Sequence, residues 1–309
     1  MKSHLARPLQ KDATSKLTPF VQILLNGLIS GSAIALVAVA FQMVYLPTRV
    51  FFIGLAGIYS LTPYLLLFAA KAGAPLAVGI PLALAASVFV ALACEWLNHA
   101  RLARKGASDG AHLISSLGIY IVLVQLIAIF WGNDTKSLHI GLDSTVHFSG
   151  SVLTGSQLLM ACVAAALLLG VLAILRASSI GLRLRALADN PAQFALFGFD
   201  VDAHRLIAFA FAGAFAAASS LLTAYDLGFD PYTGLHAVLL AVVAVIIGGR
   251  HSFAGPAIGG LLLGLVRAQV VWHLSARWQE AVTSGVLALF LLLRPHGLFG
   301  KKTRIEATA

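Results

Sequence analysis

The chain has 309 residues, 59% of them hydrophobic and only 11% charged, with a mean hydropathy of +0.91. Soluble domains carry roughly 25% charged residues, so a water-soluble enzyme of this size would lack the polar surface to cover itself, and a disordered chain would need the opposite composition. The formal net charge of +9 comes from 21 Lys and Arg against 12 Asp and Glu. These basic residues sit between apolar runs with no aromatic-studded basic stripe, which argues for membrane orientation and against nucleic acid as a partner.

Residues 1–18, MKSHLARPLQKDATSKLT, form a polar basic tail. The apolar run behind it exceeds a signal-peptide core and lacks a small-residue cleavage site, so the reading is an uncleaved first helix. A bilayer core asks for about 20 apolar residues as helix. Such runs fall at 19–45, 50–70, 75–97, 112–132, 152–175, 206–225, 235–249, 255–273 and 279–294. Their cores are nearly free of charge, as lipid demands when a charge at mid-bilayer costs at least about 2.5–3.5 kcal/mol. The ionisable residues well inside a run are Arg267 and His273, both in the eighth. Continuous stretches such as LLMACVAAALLLGVLAIL lack the alternation of a β-barrel. The fold class expected is therefore all-α, a multi-pass membrane domain over 19–297 followed by a basic tail at 298–309.

If residues 176–205 face the cytoplasm, the loops on that side hold 13 basic residues against Lys71, Lys136 and Arg277 on the other, a strong positive-inside bias. Nine full crossings would leave Lys2, Arg7, Lys11 and Lys16 of the N-terminal tail outside. Either the tail is an exception or one segment does not cross; the second reading is preferred, with the second segment, which holds Gly54, Gly57 and Pro63, expected to be broken or re-entrant. About eight transmembrane helices then remain, with both termini inside.

The loop 176–205, RASSIGLRLRALADNPAQFALFGFDVDAHR, is the long amphipathic stretch on the basic side. Asp189, Asn190 and Pro191 read as a cap followed by Pro in the first helical turn, predicting two short helices with a turn near Asn190. A surface helix of this kind suits the groove of a partner protein.

The residues here resemble a known family. The loop pattern R-x-S-x-x-G-x-x-x-R-A-x-A-D followed by Gly198–Phe199 is similar to the coupling loop of branched-chain amino acid ABC transporter permeases of the LivH type. LLNGLISGSAIALVAVAFQMVY (24–45), SSLGIYIVLVQLIAIFWGND (115–134), GFDPYTGLHAVLLAVVAVIIGG (228–249), RHSFAGPAIGGLLLGLV (250–266) and LLLRPHGLFGK (291–301) match the family's order and spacing. The resemblance implies an ABC importer permease in the cell inner membrane that moves branched-chain or other small apolar solutes. It implies separate ATPase subunits, a second permease subunit and an extracytoplasmic substrate-binding protein as partners. It places ATPase coupling on Gly181, Arg183, Arg185, Asp189, Asn190 and Gly198. One departure stands out. Where the family carries I-N-F-A-H-G-E, this chain reads FFIGLAG at 51–57, with Phe52, Leu55 and Gly57 at the Asn, His and acidic positions. This suggests tolerance for solutes bulkier or more apolar than leucine.

Neutral polar residues inside spans are candidates for the substrate path: Asn26 and Ser30 in the first, Tyr59 and Ser60 in the second, Ser116 and Tyr120 in the fourth. Each could equally serve an interhelical hydrogen bond. Asp226, Asp230 and Tyr232 could meet a binding protein at the outer end. Gly248, Gly249, Gly255, Gly259, Gly260 and Gly264 include two small-xxx-small spacings that permit close helix contact, within one subunit or against a second. No catalytic motif, metal-ligand spacing or P-loop is found, and Cys94 and Cys162 have no paired spacing. ATP hydrolysis would fall to a partner chain, and no cofactor is expected. A secondary transporter or channel for a small neutral solute such as urea or an amide is the alternative. Such carriers lean on intramembrane charge, which is nearly missing here.

Overall fold

The structure is a computed structural model that describes residues 9–138, 145–148, 151–294 and 297–299. Residues 1–8 of the N-terminal tail, His139, Pro295, His296 and residues 300–309 of the C-terminal tail lie outside the described residues. The helices are α1 (Leu9–Thr48), α2 (Gly54–Lys71), α3 (Leu76–Arg104) and α4 (Asp109–Trp131). Then come α5 (Gly155–Ala177), α6 (Ser179–Asp189), α7 (Pro191–Leu196), α8 (Val201–Leu227) and α9 (Thr233–Gly248). The last two are α10 (Gly255–His273) and α11 (Gln279–Leu293). Each apolar run of the sequence thus becomes one helix. A small antiparallel hairpin, β1 (Thr145–Phe148) with β2 (Ser151–Thr154) in register Thr145↔Thr154, precedes α5. Six helices among the described residues are long and apolar enough to cross a membrane, Thr233–Gly248 being a shorter apolar one.

The second segment corrects the expectation of a break: α2 is continuous and lies at the centre of the bundle, buried along most of its length. Proline removes an N–H and frees the carbonyl four residues back. For Pro63 that carbonyl belongs to Tyr59, and the Ser220 hydroxyl donates to it at 2.5 Å. The helix therefore stays whole because a neighbour satisfies it. Other hydroxyls do similar work. Ser219 donates to the Ala33 carbonyl at 3.1 Å, and the Thr62 and Ser87 hydroxyls share a hydrogen bond at 2.8 Å.

Close backbone contact carries the α1–α10 seam. A Cβ on Gly264 would overlap the Gly31 backbone, and one on Gly260 the Ala35 backbone. Lipid offers no hydrophobic drive between helices, so such small-residue contact is what holds them. Gly259 meets the Ala244 carbonyl, and Gly248 and Gly255 meet each other at the α9–α10 turn. Gly249 (φ +107) has its backbone against Gly297. These six glycines all contact neighbours within the same chain.

The two ends of the bundle can be told apart by their contacts. At one end Arg104 pairs with Asp202 at 3.3 Å, the Ser116 hydroxyl accepts from the Gly54 N–H at 2.9 Å, and the Gln42 amide donates to the Arg250 carbonyl at 2.7 Å. Leu298 N–H donates to the Ile247 carbonyl at 2.9 Å. This end gathers Arg49, Arg101, Arg104, Lys105, Arg183, Arg185 and Arg250, and we call it the basic end. At the other, the outer end, Lys136 and Phe229 exchange backbone hydrogen bonds, both 2.8 Å. With α2 traversing the bundle, nine helices among the described residues alternate between the ends, and the start of α1 and the end of α11 fall at opposite ends. The expectation for the two termini concerns residues that lie outside the described ones.

Candidate functional site

The outer end is hollow. A cleft of about 550 Å³ runs between α1, α8, α9 and α10. On α1 its wall extends from Ile23 to Val37, a depth of about 21 Å at 1.5 Å per residue. Val37 and Tyr59 close its inner end, and both are almost fully buried. The deep wall is apolar, formed by Ile29, Ala33, Ile34, Met160 and Leu240. Polar groups gather toward the mouth: Asn26, Ser30, Gln157, Thr223, Asp226, Thr233, His236, Arg267 and Gln279. The volume and the mix of an apolar body with a few convergent polar groups are those of a small-molecule site.

Arg267 organises the wall. Its Nη1 donates to Glu280 Oε1 at 2.9 Å and to Thr283 Oγ1 at 3.0 Å, and its Nη2 reaches Gln279 Oε1 at 3.4 Å. His236 Nε2 lies 3.5 Å from Glu280 Oε1. The cluster joins α9, α10 and α11. The Arg267 side chain is 12% exposed while Glu280 is 60% exposed, so the cation is sequestered and its partner faces outward.

Of the residues proposed for the path, Asn26, Ser30 and Tyr59 border this cleft. Ser60 is buried and accepts from the Gly234 N–H at 3.0 Å. Ser116 lies at the basic end against Gly54, and Tyr120 is packed into the core. Sequence reasoning left Thr223, His236 and Gln279 out of the site. It set Arg267 apart as a charge inside a run, and that was the signal to follow. The unusual 51–57 stretch is also away from the cleft. Phe52 packs on Phe209 at 4.9 Å between ring centroids, Leu55 is buried, and Gly57 abuts Leu123. Its apolar residues fill the core and do not border the cleft.

At the basic end α6 and α7 lie side by side. Ser178 caps α6, accepting from the Gly181 N–H at 3.2 Å, and a Cβ on Gly181 would collide with the Leu175 backbone. Arg185 donates to the carbonyls of Gly181 and Leu175 at 3.2 and 3.0 Å, which ties the end of α5 to α6. Asp189 closes α6. Asn190 caps α7, accepting from the Gln193 N–H at 3.1 Å, with Pro191 in the first turn. Arg183 stacks over the Phe199 ring at 5.1 Å, and Gly198 turns the chain at φ +81. Leu184, Leu187 and Phe194 bury one face of this pair, while Leu182, Leu196 and Phe197 remain exposed, the last two at 86% and 80%.

The family of branched-chain amino acid transport system permease components matches residues 23–292. The chain is similar to the high-affinity branched-chain amino acid transport system permease protein LivH of Salmonella typhimurium, 28% identical over 297 residues, covering 91% of this chain and 96% of LivH. It is similar to BraD of Pseudomonas aeruginosa, of the same description, 28% identical over 296 residues with the same coverage. Among solved structures, a chain of PsaBC from Streptococcus pneumoniae in complex with Fab superimposes with a TM-score of 0.51 at 14% identity, covering 94% of this chain and 98% of that one. That likeness concerns the fold alone.

Proposed function

We propose, for a chain that belongs to the family of branched-chain amino acid transport system permease components, that it is the membrane-spanning subunit of an ATP-driven importer of small apolar amino acids. It is a multi-pass membrane transport subunit and not an enzyme. In this reading it sits in the inner membrane with the basic end in the cytoplasm, as the positive-inside bias favours. An extracytoplasmic binding protein delivers solute at the outer end, and a second permease subunit completes the membrane unit. A separate ATPase docks on α6 and α7.

The observation that carries the reading is the pairing of the two ends. An apolar ridge of Leu182, Leu196 and Phe197 stands exposed on a capped helix pair at the basic end, while the solute-sized cleft opens at the opposite end. Such a ridge offers a partner apolar area with little ordering cost, because Asn190, Ser178 and Arg185 already fix the helices.

The test is uptake of labelled leucine in cells or proteoliposomes containing this chain with its ATPase and binding protein. Uptake is expected to require ATP. In the double variant Leu196→Asp, Phe197→Asp it should fall by at least about tenfold, the loss expected when charge is buried in an apolar contact, while the chain still reaches the membrane. Leucine uptake that persists without ATP on an ion gradient would make the chain a secondary transporter and sink the proposal.

A further inference from the structure

We infer that the outer cleft is a recognition site for the zwitterion of the transported amino acid, held within this one subunit, with Arg267 binding the carboxylate and Asp226 facing the ammonium. This rests on the importer reading above for the identity of the solute.

Arg267 is an arginine inside a mostly apolar helix, where a lone cation costs several kcal/mol and is retained when it pairs or serves a pathway. Its protein partners use three N–H donors. A guanidinium has five, in a planar fork that suits a carboxylate. Two donors are thus left without a protein acceptor among the described residues, on a side chain that lines the cleft. A purely structural clamp between α10 and α11 would need neither the sequestered position nor the adjoining space. Glu280, Thr283 and Gln279 fix the plane of the fork, so little ordering is required when a ligand arrives.

Asp226, near the end of α8, lines the same cleft and carries the opposite charge. Below the two charges the wall becomes apolar at Ile29, Ile34 and Leu240. A molecule with a cation and an anion at one end and a branched hydrocarbon at the other matches this gradient. A lipid acyl chain would match only the floor, leaving the Asn26 amide and the charged groups that line the cleft facing hydrocarbon.

The experiment uses the full chain in lipid nanodiscs and equilibrium binding of labelled L-leucine. Competition is read with 4-methylpentanoate, which lacks the ammonium, and 3-methylbutylamine, which lacks the carboxylate. Saturable leucine binding is expected in the native chain. Arg267→Gln should weaken leucine and 4-methylpentanoate by about tenfold or more and leave the amine unaffected, with Arg267→Lys restoring part of the loss. Asp226→Asn should do the converse. If Arg267→Gln fails to fold, Ala237→Trp, which fills the cleft without touching the clamp, should abolish binding of all three. Leucine binding that survives both Arg267→Gln and Ala237→Trp, no saturable binding by the native chain, or a lipid that copurifies in the cleft and resists leucine would each overturn the site. ATP-driven uptake without such binding would leave the importer reading standing and remove the site. Binding with this charge dependence but no ATP-driven uptake would do the reverse.

Discussion

The basic end and the outer end are built from the same helices and differ in how their polar groups are met. At the basic end buried polar side chains bind one another across helices, although Gln42 Oε1, Asn98 Nδ2 and His99 Nε2 have no partner among the described residues. Arg205 on α8 grips Glu95 on α3 through both carboxylate oxygens, at 2.5 and 3.3 Å, where α3 widens into a π turn over Glu95–His99. His99 and His112 share a hydrogen bond at 3.2 Å, and Ser115 donates to Asn98 at 2.8 Å. At the outer end polar groups of six helices face a common space. The difference teaches a division of labour. The end that would receive a partner's push is knitted into one body, and the end that would receive a solute is left open.

The largest effect expected from breaking this contrast is at Glu95. The carboxylate is 1% exposed and Arg205 10%, so removing one partner leaves an unpaired buried charge, at a cost of about 3–5 kcal/mol. Glu95→Ala should lower the thermal midpoint of the detergent-solubilised chain strongly. The double variant Glu95→Met, Arg205→Met should recover most of it, since an apolar pair of like volume is often neutral. A single variant as stable as the native chain would show that the basic end is not held by this pair.

A smaller and more direct comparison places the same substitution at both ends. Ala212 on α8 is fully buried within the main core, so Ala212→Leu overpacks and should cost about 1–3 kcal/mol. Ala237 on α9 borders the cleft, and Ala237→Leu should be nearly neutral because the added carbons enter open space. Both are read as shifts of the thermal midpoint in one detergent. Equal losses at the two sites would mean that the outer end is packed as densely as the basic end.

Much of this was legible in the sequence. The apolar runs gave the core of each long helix, because a bilayer permits little else, although α1 and α3 extend well beyond their runs into polar sequence, and Asn190–Pro191 marked the α6–α7 turn, because a cap and a fixed φ act locally. The errors came from long-range satisfaction. Pro63 with two nearby glycines suggested a break, and nothing local shows that Ser220, on a helix 157 residues further along in number, supplies the missing donor. Gly54 and Gly57 read as breakers and turn out to admit Phe52 and Leu123. The site divided in the same way. Asn26, Ser30 and Tyr59 share a cleft, whereas Ser60, Ser116 and Tyr120 serve helix contacts or the core, since a polar side chain in a span looks the same in either role. Thr223 and His236 could join the site only once α8 and α9 were placed beside α1.

The smallest effect tests whether the ridge at the basic end owes its rigidity to its cap. Asn190 is the N-cap of α7, and its side chain accepts one otherwise orphaned N–H. Asn190→Ala should cost about 1 kcal/mol, the usual worth of such a cap, borne by a helix of six residues that is too short to hold itself. The bundle as a whole should therefore melt almost unchanged. The loss should appear locally, as faster amide hydrogen exchange over residues 191–197, because exchange reads the opening of single elements. Leu196 and Phe197 would then be presented by a fraying helix, and ATP-driven uptake should fall by a few-fold while leucine binding at the outer end stays the same. Asn190→Asp keeps the acceptor and should restore both readouts. Unchanged exchange in Asn190→Ala would mean that Phe194, buried beneath α7, fixes the ridge on its own, and the rigidity of this end would then come from packing and not from its cap.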